Sequence, residues 1–251
     1  MWLILASQND AAALWAYQGL RSRGLNPIEL VFTEMLPFAL RWDHRVSAAE
    51  SSIAITLADG RVLKNSAVRG VLNRLTHVPL DHLSGNLDYD YATQEYAAFF
   101  MSWLASFRQP VLNPACAQGL AGAWRHISEW VHLAARAGLP TPKYRQTSAD
   151  EVDETIEVRK LFPEGTPIFT SVVVQDRVVG QAITPEIEKA CLKLAELSQT
   201  PLLGIDFAMS AVGAPWEFAG ATPLPDLTLG GEPLLDALAV ALTQSNGDST
   251  T

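Results

Sequence analysis

Cysteine is nearly absent: Cys116 and Cys191 are the only two in 251 residues. That is too few for a disulfide scaffold, and neither stands in a paired metal-ligand spacing, so a reducing, cytoplasmic setting is the expectation. Positive charge is also short. Eighteen Lys and Arg against 27 Asp and Glu leave a formal charge of −9, a balance that repels phosphate backbones and anionic lipid unless a basic patch is locally concentrated. Nucleic acid and membrane surfaces are therefore not expected partners. No apolar run approaches the roughly 18 to 20 residues of a membrane-spanning helix. The opening stretch 1–6 is apolar but short, has no basic leader and reaches Asp10 before a signal-peptide core could form, so export is not expected either. There is no Gly-x-Ser-x-Gly, no glycine-rich phosphate loop ending in Lys-Ser or Lys-Thr, and no Gly-x-Gly-x-x-Gly after the first strand, which removes the support for those enzyme classes.

Core-forming residues are plentiful, at 48% hydrophobic with seven Trp against 18% charged, which argues against extensive disorder. The length allows one large domain or two small ones. Residues 2–6 form an apolar run suited to a strand buried on both faces, and 7–10 offer helix caps. A helix to about Gly24 and a second apolar run at 28–32 complete a βαβ opening. Residues 53–57 and 61–64 flank Asp59-Gly60 and predict a hairpin, followed by a strand over 70–75. Tyr96, Phe99, Phe100, Trp103, Leu104 and Phe107 recur at three- and four-residue steps, predicting a helix over 89–107 with one wide buried face. Residues 111–113 read as a short strand and 120–137 as a second long helix closed by Gly138.

The proline pair Pro140 and Pro142 sets the expected domain boundary. It gives an α/β domain over 1–140 with a helical segment over 89–138, a smaller α+β domain over 141–243, and a polar tail over 244–251. The second domain is expected to hold a strand at 143–146, an acidic helix from about Ser148, and a hairpin of 168–174 with 177–182. A helix from Pro185 to about Ser198, strands over 202–209 and 216–221, and a helix over 233–242 follow.

The histidines, at 44, 77, 82, 126 and 132, are the first candidates for metal or acid–base work. His126 and His132 lie six apart on the predicted helix, about 240° round its axis, and cannot jointly hold one ion. His77 and His82 flank a proline-containing loop without a third ligand. More pointed are two polar groups in apolar strands. Asn73-Arg74 ends the strand over 70–75, at the edge where α/β crevices bind ligands, so Arg74 can hold a carboxylate or phosphate. The other reading is a strand-end arginine paired with an acidic neighbour. Asp206, inside Leu202-Leu203-Gly204-Ile205-Asp206-Phe207, needs a cation, a donor cluster or an arginine partner.

In order along the chain, Val71-Leu72-Asn73-Arg74, Tyr91-Ala92 with Glu95, Pro110-Val111-Leu112-Asn113-Pro114, and Ala135 to Pro142 resemble the amino-terminal half of ATP-grasp ligases. The likeness is to the glutathione synthetase and ribosomal-protein glutamate ligase branch, including ligases that crosslink ribosomal peptides. Gly204-Ile205-Asp206-Phe207 and Thr222-Pro223-Leu224-Pro225 with Gly230-Gly231 are similar to that family's carboxyl-terminal end. The resemblance implies an ATP-grasp-like α/β fold, an amino-terminal parallel-sheet domain plus a reduced α+β domain, and the chemistry of an ATP-dependent carboxylate–amine ligase. In the family, the aspartate of the Gly-Ile-Asp strand and a following Glu-x-Asn hold Mg²⁺ against the ATP phosphates.

Here Gly220-Ala221-Thr222 stands in the Glu-x-Asn place, leaving Asp206 nearly alone as a vestigial metal position. Glu217 lies an odd three residues before Gly220 and should point to the opposite face. The family also places a phosphate-binding lysine, a glycine-rich flap and an adenine-reading acidic segment before the 168–182 hairpin. This chain has about twenty residues there, with Lys143 and Lys160 the only nearby lysines.

Three readings follow. One is a scaffold with a dismantled nucleotide site and no cofactor, holding a peptide, protein or anionic small molecule near Asn73 and Arg74. The second is an active ligase with a reduced site using ATP and Mg²⁺, and the third a structural subunit of an oligomer, including a homo-oligomer.

Overall fold

The structure is a computed structural model that describes residues 1–47, 51–77, 89–144, 162, 165–180, 184–209 and 216–244. Its contacts divide the chain into two units, Met1–Ala123 together with the segment from Leu238, and Trp124–Ala237.

In the first unit, the apolar run becomes β1 (Trp2–Ala6), buried along nearly its whole length. Asp10 then caps α1 (Ala11–Ser22), its Oδ1 accepting from the Ala13 N–H at 3.0 Å. β2 (Ile28–Phe32) returns parallel to β1. The hairpin expected around Asp59-Gly60 is present as β4 (Ser51–Thr56) and β5 (Val62–Lys64). Gly60 adopts φ +86°, a left-handed conformation that glycine takes without steric cost. A third strand, β3 (Arg41–Val46), joins β4 on its other side and was not anticipated. Its alternation is real, but one face is all charge and the other holds only Trp42 and Val46 as apolar residues.

β6 (Gly70–Asn73) stops before Arg74, and β7 (Val111–Leu112) pairs parallel to it. The parallel sheet has the order β2-β1-β6-β7. β1 thus has β2 on one side and β6 on the other, so the topology reverses between β1 and β6, the kind of place at which open α/β sheets bind ligands beyond the strands' carboxyl ends. Between β6 and β7 runs α2 (Tyr89–Ala105), which buries Phe100, Trp103 and Leu104 as its periodicity predicts. Trp42 of β3 packs on this face, with ring centroids 5.6 Å from Phe100 and 6.1 Å from Trp103. Leu3, Leu5, Ile53, Ile55 and Phe107 complete the same core.

The second unit opens with α3 (Ile127–Ala137), shorter than the helix expected over 120–137. Gly122 sits at φ +97°, and His126 is an extended N-cap whose ring nitrogen accepts from the Ser128 N–H, so the chain enters helical geometry only at Ile127. Gly138 closes the helix in the left-handed conformation, as expected. β8 (Ile168–Val174), β9 (Arg177–Val179), β10 (Leu202–Met209) and β11 (Trp216–Thr222) form an antiparallel sheet in the order β11-β10-β8-β9. α4 (Pro185–Ser198) begins at the N-cap Thr184 and packs with α3. Trp130, Leu133, Leu194, Val173, Ile205, Phe207 and Phe218 share this unit's core. α3 therefore belongs with the second unit, whereas the proline boundary at 140–142 assigned it to the first.

The last helix, α5 (Gly231–Thr243), spans the expected 233–242. Of the strand expected at 143–146, residues 143 and 144 are irregular. The remainder of that strand, the helix from Ser148, Lys160, His82 and the tail beyond 244 lie outside the described residues.

Candidate functional site

Arg74 stands at the carboxyl end of β6, its N–H donating to the Leu5 carbonyl of β1 at 2.8 Å. The guanidinium grips Asp10 as a fork: Nε donates to Oδ2 at 2.6 Å and Nη2 to Oδ1 at 3.2 Å. The side chains are 6% and 15% exposed respectively. Asp10 therefore both caps α1 and neutralises Arg74 at the reversal point of the sheet, and of the two readings for this arginine the acidic partner is present. Sequence reasoning saw Asp10 only as a helix cap. Asn73, fully buried, is held within the fold too. Its Nδ2 donates to the carbonyls of Asn113 (2.8 Å) and Leu120 (2.6 Å), and its Oδ1 accepts from the Leu75 N–H (3.2 Å). It ties the end of β6 to the chain leaving β7.

Asp206 lies in the middle of β10, 9% exposed, with Oδ1 accepting a 2.6 Å hydrogen bond from the Thr170 hydroxyl of β8. Across the other edge, Gly220 of β11 is directly opposite Asp206 and brings no side-chain oxygen. Thr222 has its hydroxyl oxygen accepting from the Leu224 N–H at 3.1 Å. Glu217 corrects the sequence expectation. The β10–β11 register slips between Asp206 and Phe207, so Ala219 is an extra residue on β11 and Glu217 comes to lie opposite Ala208. Ala208 is two residues from Asp206, so Glu217 and Asp206 share one face of the sheet. A one-residue bulge has no signature in the 216–222 pattern other than the glycine itself.

The Gly204 and Pro225 motifs have a packing role. A Cβ on Gly204 would lie 2.8 Å from the Pro225 Cβ and 3.2 Å from the Thr222 Cγ2, and a proline ring cannot swing aside. Gly204→Ala is therefore expected to destabilise the protein by about 1–3 kcal/mol, read as a lowered urea midpoint with an unchanged slope.

The other candidates among the described residues are engaged in local contacts. His44 shares its Nε2 between the Ser51 hydroxyl (3.1 Å) and the Ser102 hydroxyl (3.4 Å). His77 bonds its neighbour Thr76, and His126 caps α3 instead of lying within it. Among the described residues no group of three or more His, Cys, Asp or Glu is arranged to hold a metal ion. Burial pushes the Cys191 thiol up to about 12, with Glu188 adding to the shift, so it is not a thiolate nucleophile at neutral pH. No described helix is long and apolar enough to cross a membrane.

No protein-family model matches the sequence, and no curated protein matches it. Solved structures do. The macrocyclase MdnC of Microcystis aeruginosa MRC, bound with precursor peptide MdnA, superposes with a TM-score of 0.71 at 14% identity over 98% of this chain and 100% of that one. A RiPP-associated ATP-grasp ligase from Chryseobacterium gregarium, in complex with ADP and a leader and core peptide, gives a TM-score of 0.72 at 11% identity over all of both chains. The ATP-grasp ligase PsnB, complexed with a phosphomimetic minimal precursor, Mg and ADP, gives 0.65 at 17% identity over 96% and 98%. The mixed architecture of a parallel sheet with antiparallel sheets, and its match along the whole chain, identify the fold: this chain has the fold of the ATP-grasp ligases.

Proposed function

We propose that this protein is an ATP-grasp scaffold whose nucleotide site has been dismantled and which acts by binding a peptide or protein partner. The observation that carries the reading is the pairing of Asp206 with Gly220. A Mg²⁺–nucleotide site needs several hard oxygen ligands in near-octahedral array. The positions beside Asp206 offer its own carboxylate, already bonded to Thr170, a glycine directly opposite, and a threonine engaged in its own turn, while Glu217 on the same face lies opposite Ala208, two residues along β10. These residues do not fit the ion. The stretch before β8 has only about twenty residues, with Lys143 and Lys160 its nearby lysines, which is short for a phosphate lysine together with a flap. A peptide partner is supported by the similar ligases crystallised with precursor peptides. Asn73 and Arg74, engaged with Asn113, Leu120 and Asp10, act in this reading as part of the frame and not as ligand contacts.

A second reading, an active ligase with a reduced site, draws support from the bulge that sets Glu217 on the same face as Asp206. Thermal unfolding separates the two. A ligand at 100 times its dissociation constant raises unfolding free energy by about 2.7 kcal/mol, so a working site would lift the melting temperature in millimolar ATP and Mg²⁺. The scaffold reading expects no shift.

A further inference from the structure

A polar cavity of about 400 Å³ opens within the first unit, between the start of β4, the turn Asn65–Ala67 that follows β5, and the chain running from α2 to β7. Its size falls in the range of about 300–1,000 Å³ typical of small-molecule sites. It shares no residue with the surroundings of Asp206.

Hydrogen bonds hold its three walls. Asn65 ties the turn to β4, its Nδ2 donating to the Ser51 carbonyl (2.9 Å) and its Oδ1 accepting from the Ile53 N–H (3.1 Å). The Ser51 hydroxyl is bonded to His44 Nε2, which also reaches the Ser102 hydroxyl of α2 at 3.4 Å, so β4 is tied to α2 as well. On the third wall, Ser106 Oγ donates to the Trp103 carbonyl at 2.6 Å. Four residues on, the Pro110 carbonyl accepts from the Val71 N–H at 2.9 Å. Arg108 and Gln109 thus stand on a short span fixed at both ends.

Within this frame several polar side chains have nothing to bind. Among the described residues Arg108, Gln109, Ser52 and Ser66 line the cavity without a hydrogen-bond or ion-pair partner for their side chains. Arg108 is the only charged residue in the lining, and in a chain of net charge −9 an unpaired guanidinium in a polar cavity marks a place for an anion. The donors exceed what a carboxylate's two oxygens use. A guanidinium fork, two serine hydroxyls and an amide suit the three terminal oxygens of a phosphomonoester. Ser106 Oγ, having given its proton to Trp103, is left to accept from a ligand hydroxyl, as is the Gln109 carbonyl. Val68 is the only apolar residue of the lining, so the body of the ligand is polar too. A Mg²⁺-bound triphosphate does not suit the cavity, because the ion already occupies phosphate oxygens and no carboxylate lines the walls to help hold it.

We propose that this cavity binds a sugar phosphate, with the phosphate on Arg108. Isothermal titration calorimetry of glucose 6-phosphate into the full chain tests this. Saturable binding with a dissociation constant of about 1 mM or tighter is expected, with glucose and gluconate each weaker. Arg108→Ala should weaken binding by about tenfold or more, and Arg108→Lys by less, since an ammonium keeps the charge but not the fork. Both variants should keep the melting temperature of the unaltered protein, because Arg108 holds no partner in the fold. Arg177→Ala, which removes the same charge from β9 in the second unit, should bind as the unaltered protein does. An absence of saturable heat, glucose or gluconate binding as tightly as glucose 6-phosphate, no loss on Arg108→Ala, or an equal loss on Arg177→Ala would each overturn the proposal.

Discussion

Arg74→Ala should cost about 3–5 kcal/mol of folding stability, the loss typical of removing one partner of a buried ion pair. The carboxylate of Asp10 would keep only its capping bond to the Ala13 N–H, at a position from which water is largely excluded. Arg74→Lys should recover only part of the loss, since an ammonium cannot reproduce the two parallel bonds from Nε and Nη2. Replacing Asp10 and Arg74 together should be milder than Arg74→Ala alone, because no charge is then stranded. Urea denaturation of the four proteins reads all three expectations. A loss below about 1 kcal/mol for Arg74→Ala, in the range of an exposed pair, would return its guanidinium to the list of ligand-binding candidates.

Trp103→Ala is expected to be of similar size, about 3–5 kcal/mol, as for large aromatics removed from cores. Trp103 is fully buried between Trp42 and Phe107, with centroids 6.1 and 5.6 Å away, and its loss opens a cavity the surrounding rings cannot close. Trp103→Phe should cost much less. The indole N–H has no hydrogen-bond partner, so Phe keeps most of the ring while removing an unsatisfied buried donor. Equal losses for the two variants would mean that the indole's full shape, and not ring burial, holds α2 in place.

Elements whose stability is local were legible in the sequence. β1, β2 and β10 are apolar runs bounded by caps and breakers, α4 announces itself by Pro185, and α2 by its three- and four-residue aromatic steps. The missed features depend on partners distant in sequence or on single-residue register. Arg74 and Asp10 are 64 positions apart, and nothing in either neighbourhood names the other. β3 is held by Trp42 against α2, a contact that a six-residue alternation with charges on one face does not reveal. The bulge at Ala219 reverses the face expected for Glu217, because in a strand one extra residue flips everything beyond it. The motif order along the chain did carry the fold. Part of what it carried is packing, since Gly204, Thr222 and Pro225 fit against one another whether or not a nucleotide binds nearby.

Isothermal titration calorimetry of ATP with Mg²⁺ into the full chain tests the dismantled site most directly. With a glycine facing Asp206 and the Thr222 hydroxyl engaged by Leu224, no saturable heat is expected, and Asp206→Asn should give the same flat trace as the unaltered protein. A saturable isotherm with a dissociation constant in the low micromolar range, about −8 kcal/mol of binding free energy, abolished by Asp206→Asn, would contradict the account and establish a working nucleotide site.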